Sequence, residues 1–282
     1  MPNTLARIYR FPVKGLRGEP LDSVALAASQ GLPHDRRFAI ARGDTQLDPA
    51  ATRWRPKQWF IMLMRDTGLA RLTCRMDVTT ETIELHASGT APCVAAFGTV
   101  AGRAQIETYL NDCLGPRPEG RAYWVESGQV SFTDVPQNCL SLINLESVRA
   151  LEARMGTPLD PLRFRANLYV DGVPAWAEFS WVGREIRIGE ATLRIPARIP
   201  RCAATSVDPE TGERTVNVVK GLRAAYGHYD MGVYAEVIHG GRVAIGDTVV
   251  VPDTPRPRSR IGHWLRFFAF LARSAPEVLR RG

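Results

Sequence analysis

The sequence predicts a mainly β fold with a few helices, and three observations carry that reading. Short runs of alternating apolar and polar residues recur along the chain, as half-buried strands require. Twenty-four glycines and twenty prolines provide many turns between them. From about residue 165 onward the runs come at close, regular spacing with hairpin-type turns, the pattern of a barrel or sandwich. The 282 residues suffice for two ordinary domains or one large one.

Taken in order, TLARIYRF (4–11) alternates as a strand, and VALAA (24–28) and RRFAIAR (36–42) follow as two more, with Gly43-Asp44 as a turn. LARLTCRM (69–76) and TIELH (82–86) read as a strand pair. AGRAQIETYLNDCLG (101–115) has Ile106, Leu110, Cys113 and Leu114 at helical spacing and closes on Gly115, a helix stop. GPRPEG (115–120) is the candidate linker, after which YWVES (123–127) resumes strand character. NLESVRALEARMG (144–156) is the clearest helix: Asn144 can cap it, Leu145, Val148, Leu151 and Met155 share a face, and Gly156 ends it. Short strands come next: ANLYV (166–170), then REIRI (184–188) and ATLRI (191–195) joined by Gly189-Glu190, then TVNVV (215–219). YAEVI (234–238) and RVAIG (242–246), joined by His239-Gly240-Gly241, and DTVVV (247–251) complete the series.

The net charge of +7 is unevenly placed. Residues 253–282 hold seven arginines and two acids, so they supply +5 and leave +2 for the other 252 residues. A basic tail on a nearly neutral body argues against a general nucleic-acid surface. In the tail, PDTPRPRSR (252–260) reads as extended. IGHWLRFFAFLAR (261–273) reads as an amphipathic basic helix, with Ile261, Trp264, Leu265, Phe268 and Leu271 on one face. Packing of that helix on protein is preferred over peripheral contact with an anionic membrane surface. The N-terminal stretch lacks the apolar core of a secretory signal, and no segment reaches the ~18 apolar residues of a membrane span. The expected location is therefore cytoplasmic, with peripheral attachment at the inner membrane surface as the variant the tail allows.

Five cysteines (74, 93, 113, 139 and 202), widely spaced and without a CxxC, exclude a zinc ribbon, an iron–sulfur cluster and a disulfide framework within this sequence. GxSxG, GxxxxGK[ST] and strand-borne GxGxxG elements are also missing, so the common nucleophile elbow and nucleotide loops are not expected. None of the five histidines has a family-like spacing to a cysteine for a Cys–His nucleophile.

One cysteine has unusual surroundings. In RCAATSVDPETG (201–212), Cys202 follows Pro196, Pro200 and Arg201 and precedes a turn-forming run. A lone cysteine is ordinarily a small buried hydrophobe. A thiol held in a constrained turn beside a guanidinium instead favours a thiolate, which is a nucleophile or a soft metal ligand. Lys14, Arg36, Arg37, Arg163 and Arg165 lie where loops should be. If those loops converge they form an anion pocket.

RFPVKGLRGEPL followed by GLPHDRRFAI resembles the N-terminal β-barrel domain of MOSC proteins. RFRANLYVDG, RCAATSVDPETG and VAIGDTVVV resemble the MOSC domain, named for the C-terminus of the molybdenum cofactor sulfurase. The resemblance covers roughly residues 4–251 and includes the amidoxime-reducing components and bacterial reductases of N-hydroxylated compounds. It implies a MOSC β-barrel packed on an N-terminal β-barrel-like domain, divided as 1–120, 121–252 and a basic tail with its helix at 253–282.

The resemblance further implies a molybdenum cofactor, Mo-molybdopterin, with Cys202 as the protein ligand of the metal. Lys14 and Arg36 would hold the pterin phosphate, Arg165 and Asn167 would be cofactor neighbours, and Arg201 and Thr205 would flank the ligand. The implied activity is reduction of N-hydroxylated compounds (hydroxylamines, amidoximes) to amines by oxygen-atom transfer to molybdenum, with electrons from a separate donor protein. Asp208 is the candidate for proton delivery. The alternative is a cofactor or sulfur carrier that uses a persulfide on Cys202 without redox turnover. This sequence departs from the family where Gly15 stands in place of a frequent serine, removing one phosphate contact. It departs again in the loop DTQLDPAATRW (44–54), which lacks the usual TQR element.

Overall fold

The computed structural model describes residues 3–47, 54–128 and 130–252. The expected tail helix at 261–273 lies outside these residues. The first half of the chain supplies β1 (Thr4–Arg10), β2 (Glu19–Leu21), β3 (Ser23–Leu26) and β4 (Phe38–Ala41). It continues through β5 (Leu72–Asp77), β6 (Thr82–Ala87) and β7 (Cys93–Ala96) to helix α1 (Val100–Leu114) and β8 (Tyr123–Glu126). The second half supplies β9 (Leu140–Asn144), α2 (Leu145–Met155), β10 (Leu168–Asp171), β11 (Glu185–Ile188), β12 (Ala191–Arg194) and β13 (Arg198–Pro200). It ends with α3 (Val218–Tyr226), β14 (Asp230–His239), β15 (Gly241–Ala244) and β16 (Val249–Val250). The fold is mainly β, as expected.

The largest sheet runs β16-β11-β12-β14-β9-β10-β1-β2, with β13 added on β14. Only β9 and β10 pair in parallel within it. Its ends meet: Thr4 bridges Thr248, Leu5 N donates to Asp247 O, and Val249 N donates to Asn3 O. The sheet therefore curls back on itself and removes an open edge. Leu5, Ile8, Leu142, Leu168, Ile186, Leu193 and Val233 fill its interior with 0% exposure. In β1 the period-2 pattern is broken between Leu5 and Arg7 by a register shift against β10. This turns both Leu5 and Ile8 inward.

The pairs β4–β8 and β5–β6–β7 form a smaller β region covered by α1. Its core joins Val13, Leu16, Phe38 and Trp124 to Val207, which comes from the turn after Cys202. Strands from both sides of the 115–120 link share the large sheet, so the link joins parts of one packed unit. Both predicted helices form with the expected caps: Asn144 accepts from Glu146 N and Gly156 is left-handed. α1 likewise ends at Gly115. Among the described residues no helix is long and apolar enough to cross a membrane.

Two expectations are corrected. The strand expected at 215–219 is in part the start of α3: Asn217 accepts from Lys220 N as its cap, and Val218 and Leu222 are buried. β-branched Val218 and Val219 mimic a strand, and the cap overrides them. The hairpin expected between 234–238 and 242–246 does not pair. Both edges of β14 are taken by β12, β9 and β13, so β15 crosses to β3.

Candidate functional site

Cys202 lies just beyond β13, where the chain leaves the sheet and enters a 3-10 turn, Ala203–Ser206. Its carbonyl accepts from Thr205 N at 3.1 Å and from Thr205 Oγ1 at 2.9 Å, which tightens the turn. Arg201 fixes the other side. Its Nε and Nη2 donate to Met231 O at 2.8 and 2.6 Å, and Nη1 donates to Phe164 O at 2.9 Å. These bonds place the half-buried thiol, which makes no cap hydrogen bond, at a rigid point.

The thiol faces a cavity of about 560 Å³. Lys14, Arg36, Arg165, Asn167, Arg201, Cys202 and Thr205 all line it, although they are up to 191 positions apart in the chain. The loops do converge, except that Arg37 is outside the lining and pairs with Glu126 at 2.6 Å. Six cationic side chains (Lys14, Arg36, Lys57, Arg163, Arg165 and Arg201) face one lining carboxylate, Asp134. That imbalance makes the cavity receptive to a multiply charged anion.

The cations are held in different ways. Lys14 Nζ donates to Phe132 O at 2.9 Å and to Asp134 Oδ1 at 2.7 Å. Arg36 pairs with Asp35, and its Nη2 donates to Arg165 O at 2.8 Å. Arg165 Nη1 donates to Leu16 O at 2.6 Å. The guanidiniums of Arg36 and Arg165 sit 4.6 and 4.4 Å from the centre of the Phe11 ring. Both residues adopt left-handed backbone, with φ of 46° and 50°, a conformation that costs roughly 1–2 kcal/mol for residues with a Cβ.

Arg165 and Arg201 make no ion pair among the described residues. Burial, helped by the nearby Arg36 charge, pushes the Arg165 pKa down to about 9 and that of Arg201 down to about 10. Uncompensated buried positive charge of this kind is relieved by a bound anion.

Asn167 lines the wall, but its polar atoms serve the fold. Its Oδ1 accepts from Ser141 N and Oγ at 3.0 Å each, and its Nδ2 donates to Tyr9 O at 3.3 Å, tying β9, β10 and β1 together. Gly15 also lines the cavity, with a φ of +92° that a serine would hold only under strain.

Asp208 is a correction: it does not line the cavity. Its Oδ2 accepts from Arg163 Nη2 at 2.6 Å, and its Oδ1 accepts from Glu210 N and Thr211 N at 3.0 Å. Burial opposes the charged form, but these N–H groups and Arg163 outweigh it and hold the carboxyl below its usual range. A carboxylate so engaged organises the 208–212 turn and is a poor proton donor at neutral pH.

Lys57, Asp134 and the aromatic wall of Trp54, Trp59 and Tyr234 escaped the sequence reading. The available signal was a lysine between tryptophans beside Pro56, just after the loop that departs from the family pattern. Asp134 bridges Lys14 and, at 3.9 Å, Lys57. Desolvation works against its charged form, but Lys14, Lys57 and Arg36 outweigh it and hold the half-exposed carboxyl well below the ordinary 3.8. The pairs therefore stabilise the fold fully above pH 3.8 and lose that contribution as pH falls through the lower, folded value. Asp134→Asn is expected to flatten the fall of Tm below about pH 4. An unchanged acid limb in thermal melts would contradict this.

Residues 128–250 match the MOSC domain profile. The chain carries a MOSC domain. Relatives include mitochondrial amidoxime-reducing component 1 of Mus musculus, 30% identical over 142 residues, covering 46% of this chain and 40% of that protein. The same component of Homo sapiens is 26% identical over 299 aligned positions, covering 87% and 82%. Molybdenum cofactor sulfurase of Drosophila mojavensis is 25% identical over 254, covering 82% and 31%. The chain thus spans less than half the length of the mouse and Drosophila relatives. Among solved structures, the YUAD protein of Bacillus subtilis aligns with a TM-score of 0.41 and 14% identity, covering 88% of this chain and 94% of that one. YiiM of Geobacillus stearothermophilus aligns with a TM-score of 0.34 and 16% identity, covering 46% and 62%. The MOSC match includes Cys202 and the Arg163–Asn167 segment, while Lys14 and Arg36 come from the chain before it.

The residues present fit an anionic pterin cofactor. One thiol offers a soft ligand, and a lysine and two half-buried guanidiniums that make no ion pair among the described residues surround it. Among the described residues no group of three or more His, Cys, Asp or Glu side chains forms a metal site, so a metal here would bring its other ligands with it.

Proposed function

We propose that this MOSC protein is a molybdenum-cofactor-dependent oxidoreductase that reduces N-hydroxylated compounds. The single observation that carries the reading is the convergence of Cys202 with Lys14, Arg36, Arg165 and Arg201 on one cavity with a large excess of positive charge. The names of its relatives, amidoxime-reducing component and molybdenum cofactor sulfurase, support the same chemistry.

When bound, the cofactor would accept the oxygen atom and supply the two electrons that break the N–O bond. Cys202 would be the protein's ligand to its metal, and Lys14 and Arg36 would hold its phosphate. Arg165 would neutralise its charge from within the wall. The net reaction breaks the N–O bond and forms N–H and water, taking up two protons and two electrons. The electrons come from a separate donor protein. Lys57, half-buried at the cavity wall and charged at neutral pH, is better placed than Asp208 to supply a proton. Trp54, Trp59 and Met62 give the mouth an apolar lining suited to the organic part of a substrate.

Cofactor-loaded protein with dithionite-reduced methyl viologen is expected to convert benzamidoxime to benzamidine. Loaded protein that never does so, but carries a persulfide on Cys202, would support the sulfur-carrier alternative, which the half-exposed thiol also suits. Peripheral membrane contact through 261–273, the variant that the tail allows, remains a proposal of the sequence alone.

A further inference from the structure

We propose that the chain has a second ligand site, a pocket of about 210 Å³ beside the Cys202 cavity that takes a small aromatic carboxylate. It shares Leu63, Arg163 and Arg165 with the larger cavity. Its other walls come from the loop after β1 and the turn after Cys202, including Arg17, Pro20, Val207 and Pro209, none of which lines the larger cavity. The inference shares Arg165 with the proposed cofactor site but is tested at Arg17, which lies outside that cavity.

Three guanidiniums and no carboxylate line this pocket. Each has capacity to spare. Arg163 is 5% exposed and uses its Nη atoms on Ser206 O, Asp208 and Thr215, but its Nε is buried without an acceptor. A buried donor left unsatisfied costs about 1–3 kcal/mol. Arg165 donates to one carbonyl, Leu16 O, and has no ion pair among the described residues. Arg17 has a single ion pair, a 3.8 Å contact with Glu210, whose side chain is 74% exposed. Such a pair contributes little and exchanges readily for a better carboxylate. Guanidinium groups bind carboxylates through two parallel hydrogen bonds, which a lysine site would not favour in the same way.

The remaining lining is apolar, with Tyr9, Leu63, Leu162 and the two prolines, so the ligand needs an apolar body. The volume lies below the ~300 Å³ at which drug-sized ligands are enclosed, which limits that body to about one ring. The pocket is also preformed. Phe11 is 2% exposed, its N–H donates to Asp35 Oδ1 at 2.8 Å, and two guanidiniums cover its ring. The next loop presses on that ring at Gly18, where a Cβ would meet Phe11 Cε1 at 2.6 Å. Arg17 is thereby held at the rim by a backbone that has little room to move.

The test is calorimetric titration of the full chain with benzoate and benzyl alcohol. Benzoate is expected to bind one site at least about tenfold more tightly than the alcohol. Arg17→Ala should weaken benzoate by about tenfold or more, and Glu210→Ala, which frees Arg17, should tighten it. Cys202→Ser, in the neighbouring cavity, should leave the affinity within about twofold. The inference is overturned if benzoate gives no heat up to about 10 mM, or if benzyl alcohol binds as well. It is also overturned if Arg17→Ala and Glu210→Ala both leave the affinity unchanged, or if Cys202→Ser removes binding.

Discussion

Replacing Cys202 with serine should reduce amidoxime turnover by at least about three orders of magnitude, equivalent to ~4 kcal/mol of transition-state stabilisation. The reason lies in the side chain's chemistry and position. A thiolate is a soft donor, whereas a serine hydroxyl stays protonated at neutral pH and is a poor partner for a dithiolene-bound metal. The turn itself should survive. It is built by the Cys202 carbonyl, Thr205 and the Arg201 guanidinium, and none of those bonds uses sulfur. The variant should therefore melt within a degree or two of the cofactor-free wild type while losing activity. Steady-state assays beside thermal melts check both halves. Full turnover by the serine variant would remove Cys202 from the site.

Phe38→Ala should destabilise the protein by about 3–5 kcal/mol, the range for truncating a buried aromatic. Phe38 is fully buried, with its ring 4.8 Å from Trp124 in a stacked arrangement and 5.0 Å from Phe97. Its backbone also anchors the site: Phe38 O accepts from Lys14 N at 2.8 Å, and Phe38 N donates to Pro12 O at 3.0 Å. Loss of the ring should loosen the Pro12–Lys14 segment as well as the core, so cofactor retention should fall together with stability. Urea denaturation measures the first effect and metal analysis the second. A loss under about 1 kcal/mol would mean that the cavity collapses more fully than this packing allows.

The parts of the fold that were legible in the sequence are those where a local signal agrees with the tertiary environment. α2 has its Asn144 cap, an apolar stripe and Gly156, and it forms as expected. β5 and β6 alternate cleanly because one face is buried and the other exposed. β9 was not found, because Leu140, Leu142, Ile143 and Asn144 are all buried and leave no alternation to detect. α3 was hidden by its two opening valines. In the site, Cys202, Lys14 and Arg36 were legible because motifs mark them, and the cavity does bring them together. Asp208 misled because an acid near the cysteine has the right chemistry, whereas its hydrogen bonds serve the turn. Lys57 and Asp134 belong to loops whose approach to Cys202 depends on packing between distant segments, and no local pattern encodes that.

The central claim is that the cavity at Cys202 holds a molybdenum–pterin cofactor. Molybdenum and pterin content of the protein purified from cells that make the cofactor tests it most directly. About one molybdenum and one pterin per chain are predicted for the wild type, with metal lost from Cys202→Ser. Wild-type protein that contains neither, from cells whose other molybdenum enzymes are loaded, would contradict the account.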